Sequence, residues 1–265
     1  MIKIVNDINE YLDWIDPLCF DTRFSTPFCD KARVTAVSNK ENHRLLCAYD
    51  GDRLIGIFCL LVLEEEEYIE TVFLYTKEKK AYEDLMDYLS KQYKGYEIWF
   101  VYNPKNDVLG NYLSEKQAFF YTEQRYMEYK GVKKADVSEV IPYCDSYKNE
   151  YISIHNKEGY WDGEKVLANI EDFYIYLYIQ NQHLVGYIDL SKENDTNEIM
   201  DLWILPEYRN QGIGGLLLKK AIFANGDKRL VLTVDIDNAP AIHLYEKMGF
   251  EEISANNNIT AKFTL

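Results

Sequence analysis

The sequence predicts an α/β protein made of two copies of one mixed, mostly antiparallel sheet flanked by helices. Three observations predict it: an internal repeat, a strand-turn-strand pair in each half, and a strand-helix-strand-helix order after each pair.

The repeat has a nearly constant offset. Leu54-Ile55-Gly56 matches Leu184-Val185-Gly186 at 130, and Thr71-Val72-Phe73-Leu74 matches Leu202-Trp203-Ile204-Leu205 at 131. Gly95 matches Gly226, and Leu113-Ser114-Glu115-Lys116-Gln117-Ala118-Phe119 matches Leu244-Tyr245-Glu246-Lys247-Met248-Gly249-Phe250, both again at 131. A join near Gly131-Val132-Lys133-Lys134 divides the chain into residues 1–130 and 131–265. The strand pairs run over Arg44–Tyr49 and Leu54–Leu63, then over Phe173–Ile179 and His183–Leu190. Their turns, Asp50-Gly51-Asp52 and Gln180-Asn181-Gln182, have hairpin chemistry.

Composition sets the bounds. The chain has 265 residues, 47% hydrophobic and 28% charged, the make-up of folded soluble domains and the length of two. No apolar run reaches the roughly 18 residues of a membrane span, and the N-terminus turns polar at Asn6 and Asp7, before a signal-peptide core can form. Cys19, Cys29, Cys47, Cys59 and Cys144 show no disulfide or metal spacing, as expected of a cytoplasmic protein that holds no metal. The net charge of −15 is shared: residues 1–130 hold 16 basic and 23 acidic side chains, the rest 13 and 21. That balance disfavours nucleic acid and anionic membranes as partners and suits a cationic amine.

The chemistry concentrates after the strand ending at Leu205. Pro206 stops the strand, having no N–H for a ladder. Gly212 and Gly214 then open a helix with apolar positions Ile213, Leu216, Leu217, Ala221 and Ile222, which Asn225-Gly226 closes. Glycines at a strand-to-helix turn let backbone N–H groups close on a phosphate, and Arg209 adds a cation. The pattern has neither the Gly-Lys-Ser/Thr of a P-loop nor the third spaced glycine of a dinucleotide fingerprint. Further on, the segment from Asn238 to Phe250 opens with an N-cap Asn and a first-turn Pro240 and closes on Gly249-Phe250.

Arg209-x-x-Gly212-x-Gly214 together with Asn238…Tyr245…Gly249-Phe250 resembles the GNAT N-acetyltransferase superfamily, over roughly residues 132–265. The resemblance implies acetyl-CoA as acyl donor and direct attack by a primary amine, borne by a small molecule or a peptide. It implies that Arg209, Asn210, Gln211, Gly212, Ile213 and Gly214 hold the CoA pyrophosphate. Leu202, Trp203 and Ile204 would pair with the pantetheine arm, the Ile204 N–H would polarise the thioester carbonyl, and Asn238 would reach the donor. Tyr245 takes the position of the general acid. Glu198 takes that of the catalytic base in histone-acetyltransferase-type members, with Asp201 as rival on the opposite face by strand alternation. His243 is expected at the surface, and Tyr160 and Trp161 stand as either core or substrate wall.

At the 131 offset Arg209 becomes Glu78, Gly212 becomes Ala81, Gly214 becomes Glu83 and Tyr245 becomes Ser114. Residues 1–130 are therefore expected to be a degenerate copy without an acyl-CoA loop, in a monomer with an internal pseudo-dimer or in a homodimer. An acyl-CoA-binding regulatory module without catalysis is the alternative; the intact loop and Tyr245 favour the enzyme.

Overall fold

The computed structural model describes residues 1–19, 21, 23, 24, 31–132, 135–157, 160–192 and 195–265. Cys29, Lys133 and Lys134, singled out above, lie outside the described residues, as does the side chain of Cys19. In chain order the elements are β1 (Ile2–Val5), α1 (Leu12–Cys19), α2 (Lys31–Ser38), β2 (His43–Asp50), β3 (Arg53–Leu63), β4 (Tyr68–Tyr75), α3 (Lys79–Gln92), β5 (Glu97–Tyr102), α4 (Asp107–Glu115), β6 (Phe119–Phe120) and β7 (Gln124–Tyr129). They continue with β8 (Val140–Pro142), α5 (Lys148–Ile154), α6 (Gly163–Ala168), β9 (Phe173–Gln180), β10 (His183–Ser191), β11 (Thr196–Ile204), α7 (Ile213–Asn225), β12 (Arg229–Asp235), α8 (Ala239–Met248), β13 (Phe250–Glu252) and β14 (Ile259–Thr264).

These strands form two seven-stranded sheets of one plan, β1-β2-β3-β4-β5-β14-β6 and β8-β9-β10-β11-β12-β7-β13. The expected mixed, mostly antiparallel sheets are present, with parallel pairing at β4/β5 and at β11/β12. Both hairpins form. Gly51 adopts φ +62°, and Asn181 and Gln182 both have positive φ, as a tight turn between twisted strands requires.

The last strand of each copy is exchanged. β7 comes from the first half of the sequence yet lies beside β12, and β14, the last strand in the sequence, lies between β5 and β6. The compact units are accordingly Met1–Arg125 with Ser254–Leu265, and Tyr126–Ile253. They differ from a simple division at 130/131 because backbone pairing, rather than chain order, decides which sheet a terminal strand completes.

Each sheet is covered on both faces. In the second unit, Val185, Ile188, Leu190 and Ile199 pack under Leu217, Leu218, Ala221 and Ile222 of α7 and Ile242 and Met248 of α8. The opposite face, with Ile175, Leu177 and Tyr187, packs on Tyr151 of α5 and Val166 of α6. The first unit repeats the arrangement, with Leu85, Leu89, Leu109 and Leu113 on one face and Ile8, Ile15 and Val34 on the other. Among the described residues no helix is long and apolar enough to cross a membrane.

The exchange gives a direct test. A chain of residues 126–253 keeps β7 between β12 and β13 and should unfold cooperatively in a thermal melt followed by circular dichroism. A chain of residues 131–265 lacks β7, leaves those two strand edges bare and should aggregate or melt without a cooperative transition.

Candidate active site

The site is created by one surplus residue in β11. The antiparallel register pairs Leu190 with Ile199 but Asp189 with Asp201, so Met200 has no partner and bulges out. The parallel pairing with β12 ends at the same point, at Ile199 opposite Leu232. Beyond Met200 the strand keeps β10 on one side only. Leu205 donates its N–H to the Val185 carbonyl at 2.9 Å. By alternation Asp201 and Trp203 also bond toward β10, which turns the N–H groups of Leu202 and Ile204 to the edge that β12 has left.

The bulge also reverses the strand's faces. Leu202 and Ile204 pack with Ile199 on the α7 side. Asp201 and Trp203 face the other way, as Glu198 does, because the extra residue shifts alternation by one. Glu198 and Asp201 therefore share a face, contrary to the alternation expected from the sequence. Asp201 lines a cavity of about 180 Å³ with His155, Tyr160, Trp161, Val166 and Asp189. Glu198 is not among its lining residues; it lies where β11 and β12 are still paired.

The loop from β11 to α7 carries a short 3-10 turn, Pro206–Tyr208, then Asn210 at φ +60° and Gly212 at φ +81°. Gly212 is the N-cap of α7, and no side chain caps that end. The N–H groups of Ile213, Gly214 and Gly215 thus head the helix without an intrahelical acceptor. A Cβ on Gly212 would meet nothing within 4 Å, so this glycine serves its left-handed backbone and an open approach. Gly214 is different. Its Cβ would come within 2.9 Å of Leu244 Cδ2 and 3.3 Å of Ile204 Cδ1, side-chain ends that would have to shift to admit it, so Gly214 lets α7 sit close against α8 and β11. Arg209 lies over the Trp203 ring, its Cζ 4.7 Å from the centroid, and its Nε donates to the Ile204 carbonyl at 3.0 Å.

Asn238 caps α8, its Oδ1 accepting from the Ala241 N–H at 3.3 Å. Tyr245, about two helical turns in, is nearly buried, and its phenol is pushed up to about 12, by burial first and then by the charge of Asp201. His243 is exposed, as expected. Tyr160 and Trp161 both line the cavity, their rings edge to face at 5.2 Å.

A polar network under the cavity was not foreseen. Asp189 is fully buried, and its Oδ2 accepts from the Tyr151 hydroxyl at 2.6 Å and from His155 Nε2 at 2.8 Å. His155 Nδ1 lies 3.0 Å from the Asn156 carbonyl. Both ring nitrogens therefore face acceptors, the arrangement of an imidazolium. Burial opposes that charge, but the bonds to Asp189 and Asn156 outweigh it, and the His155 pKa is raised. Burial also raises Asp189, against its two donors. Tyr187 stacks on His155 at 4.9 Å, accepts from the Asn156 N–H and donates to Asp201 Oδ2. The one signal in the sequence was an aspartate inside the apolar run Leu184–Leu190.

The first unit has no such loop. Three residues, 76–78, join β4 to α3, where eight, 205–212, join β11 to α7. A bulge at Val72 pairs Ile57 with Tyr75 in one unit as Gly186 pairs with Ile204 in the other. The register thus sets Thr76 opposite Gly56, and the residue-by-residue equivalence of Glu78, Ala81 and Glu83 with Arg209, Gly212 and Gly214 does not hold. The loop is shortened rather than merely recharged, and Glu78 is held by Arg53 at 2.6 and 3.0 Å. Among the described residues no three His, Cys, Asp or Glu side chains group as a metal site.

Residues 141–250 match the sequence model of the acetyltransferase (GNAT) family. A ribosomal protein bS18 alanine N-acetyltransferase from Haemophilus influenzae is 36% identical over 87 residues, 32% of this chain and 59% of that protein. A mycothiol acetyltransferase from Corynebacterium glutamicum is 28% identical over 112 residues, 38% of this chain and 38% of that protein. The chain thus spans less than two thirds of either relative. A GCN5-related N-acetyltransferase from Sphaerobacter thermophilus has a similar structure, with a TM-score of 0.69 at 11% identity, over 99% of this chain and 95% of that one. A tandem GNAT protein from the clavulanic acid biosynthesis pathway gives 0.63 at 12%, over 99% and 98%. At these identities the likeness is one of fold.

The buried pair ties stability to pH. With the His155 pKa raised above its ordinary 6.5, the folded chain holds a proton that the unfolded chain releases. That stabilisation is complete below the unfolded value and is lost as pH rises through the folded one. Urea titrations from about pH 5.5 to about pH 9 should therefore show stability falling on the alkaline side, and His155→Gln should flatten the fall.

Proposed function

Because this chain belongs to the GNAT acetyltransferase family through residues 141–250, we propose that its second unit transfers an acetyl group from acetyl-CoA to a primary amine by direct attack. One observation carries the reading. The bare edge of β11 beyond Met200 runs from the uncapped start of α7 to the cavity that Asp201 lines. An extended polyamide can pair with such an edge, and a pyrophosphate suits such a helix end.

In this reading the N–H groups from Asn210 to Gly214 hold the pyrophosphate, with Arg209 beside them and the Asn238 carboxamide across the gap. Leu202 and Ile204 offer N–H groups to the pantetheine arm, next to Trp203. Bound acetyl-CoA supplies the activated thioester. The Ile204 N–H stabilises negative charge growing on the carbonyl oxygen. Asp201 accepts the proton of the incoming ammonium, since it lines the cavity where Glu198 does not. Tyr245 protonates the departing sulfur; a phenol pushed up to about 12 keeps its proton at neutral pH.

The two relatives' names speak of a ribosomal-protein alanine and of mycothiol, which leaves the acceptor here a primary amine on either a peptide or a small molecule. Cys47 and Cys59 are free and buried, in keeping with a reducing cytoplasm.

Release of free thiol from acetyl-CoA across an amine panel tests the reading, and a bound but unconsumed donor with every amine would favour the regulatory module. On an accepted amine, Tyr245→Phe should lower the turnover number by about 10²–10⁴-fold, roughly 3–5 kcal/mol of barrier, and leave acetyl-CoA affinity unchanged. Near wild-type turnover in a folded variant would make Tyr245 a wall residue.

A further inference from the structure

Tyr187 and Asp201 are diagonal neighbours on one sheet face. Tyr187 pairs with Trp203 and Asp189 with Asp201, with no irregularity between the two pairs. Such cross-strand diagonals span about 7–8 Å, a gap that an aromatic side chain can bridge. The Tyr187 hydroxyl does so and donates to Asp201 Oδ2. A second bond settles the direction of that proton. The Asn156 N–H donates to the same hydroxyl oxygen at 3.2 Å, so the phenol's own proton goes to Asp201.

The ring is held on all sides. It is fully buried, stacked on His155 at 4.9 Å and edge to face with Tyr151 at 5.1 Å. Burial, and then the charge of Asp201, raise its pKa far above the ordinary value, so it stays a donor. Asp201, by contrast, is tied at one oxygen only. Among the described residues its Oδ1 takes no hydrogen bond, and that oxygen keeps accessible surface in a residue that lines the cavity. The terminal torsion of an unrestrained aspartate is broad, so either oxygen could face a reactant at many angles. A carboxylate bound by an immobile phenol presents one oxygen in one direction.

We propose that Tyr187 is the positioning residue of the base: by holding Oδ2 it aims Asp201 Oδ1 at the acceptor's ammonium. Tyr187 acts through Asp201 alone, and the Asn156 peptide, itself in the cavity wall, fixes the hydroxyl that does the holding. This assignment rests on the reading of Asp201 as the base of acetyl transfer.

A double-mutant cycle on the full chain tests it, with acetyl-CoA and a panel of alaninamide, ethanolamine and putrescine. Tyr187→Phe should lower the turnover number about tenfold or more and leave the KM of the amine and the affinity for acetyl-CoA unchanged. In an Asp201→Asn chain the same change should cost nothing further, since the group it positions is gone. Wild-type turnover in a folded Tyr187→Phe chain, or an equal loss repeated in the Asp201→Asn chain, overturns the proposal. Wild-type turnover in Asp201→Asn would remove the base and the proposal with it; an impaired Asp201→Asn beside an unimpaired Tyr187→Phe removes the proposal alone. If Tyr187→Phe does not fold, or the wild-type chain acetylates none of the three amines, proton NMR of the tyrosine-labelled chain decides. A buried tyrosine hydroxyl resonance displaced by Asp201→Asn upholds the hold on Asp201, and hydroxyl resonances that all stay in place overturn it.

Discussion

One unpaired residue, Met200, governs the second unit's chemistry. A strand in the middle of a sheet is bonded on both sides and offers nothing to a ligand. The bulge at Met200 lets β12 part from β11, so Leu202 and Ile204 turn their N–H groups to an open edge. The same extra residue brings Asp201 to the face that holds Asp189 and Tyr187. Edge and acid thus have one cause, and neither would survive a register without the bulge.

The acidic network follows from that placement. Two opposed carboxylates in a covered sheet face are unfavourable by themselves, and a buried ion needs a partner and hydrogen bonds. His155 supplies the counter-charge, held by the Asn156 carbonyl, and two tyrosines whose phenols burial drives upward remain donors to the carboxylates. The first unit keeps the sheet, the bulge and the helix but joins β4 to α3 directly, with Thr76 accepting from the Glu78 N–H and Arg53 tied to Glu78. Its fold persists because packing and loop chemistry reside in different residues.

Much of this was legible in the sequence. The repeat, the two hairpins and the Gly212 turn each rest on local rules, periodicity and turn chemistry, and appear as read. The constant 131 offset does not hold through β4 and its loop, because the equivalent bulges at Val72 and Met200 are 128 residues apart. The strand exchange was not legible, since β7 and β14 have equivalent patterns and nothing local states which sheet each completes. The bulge was missed because alternation was counted through it, which set Glu198 and Asp201 on opposite faces. Gly214 also lies close to the Leu244 side chain, a contact between distant segments that no local pattern announces. His155 and Asp189, 34 residues apart, share no motif or spacing that would pair them; only tertiary packing joins them.

The central claim is that the acyl donor lies along the edge of β11 in the second unit alone. Residue-resolved amide hydrogen exchange with and without acetyl-CoA tests it most directly. The account expects slowed exchange at Leu202, Ile204 and Ile213 through Gly215, with residues 71–83 of the first unit unchanged. Unaltered exchange at Leu202 and Ile204 under saturating acetyl-CoA, or equal slowing along β4 and the start of α3, would contradict it.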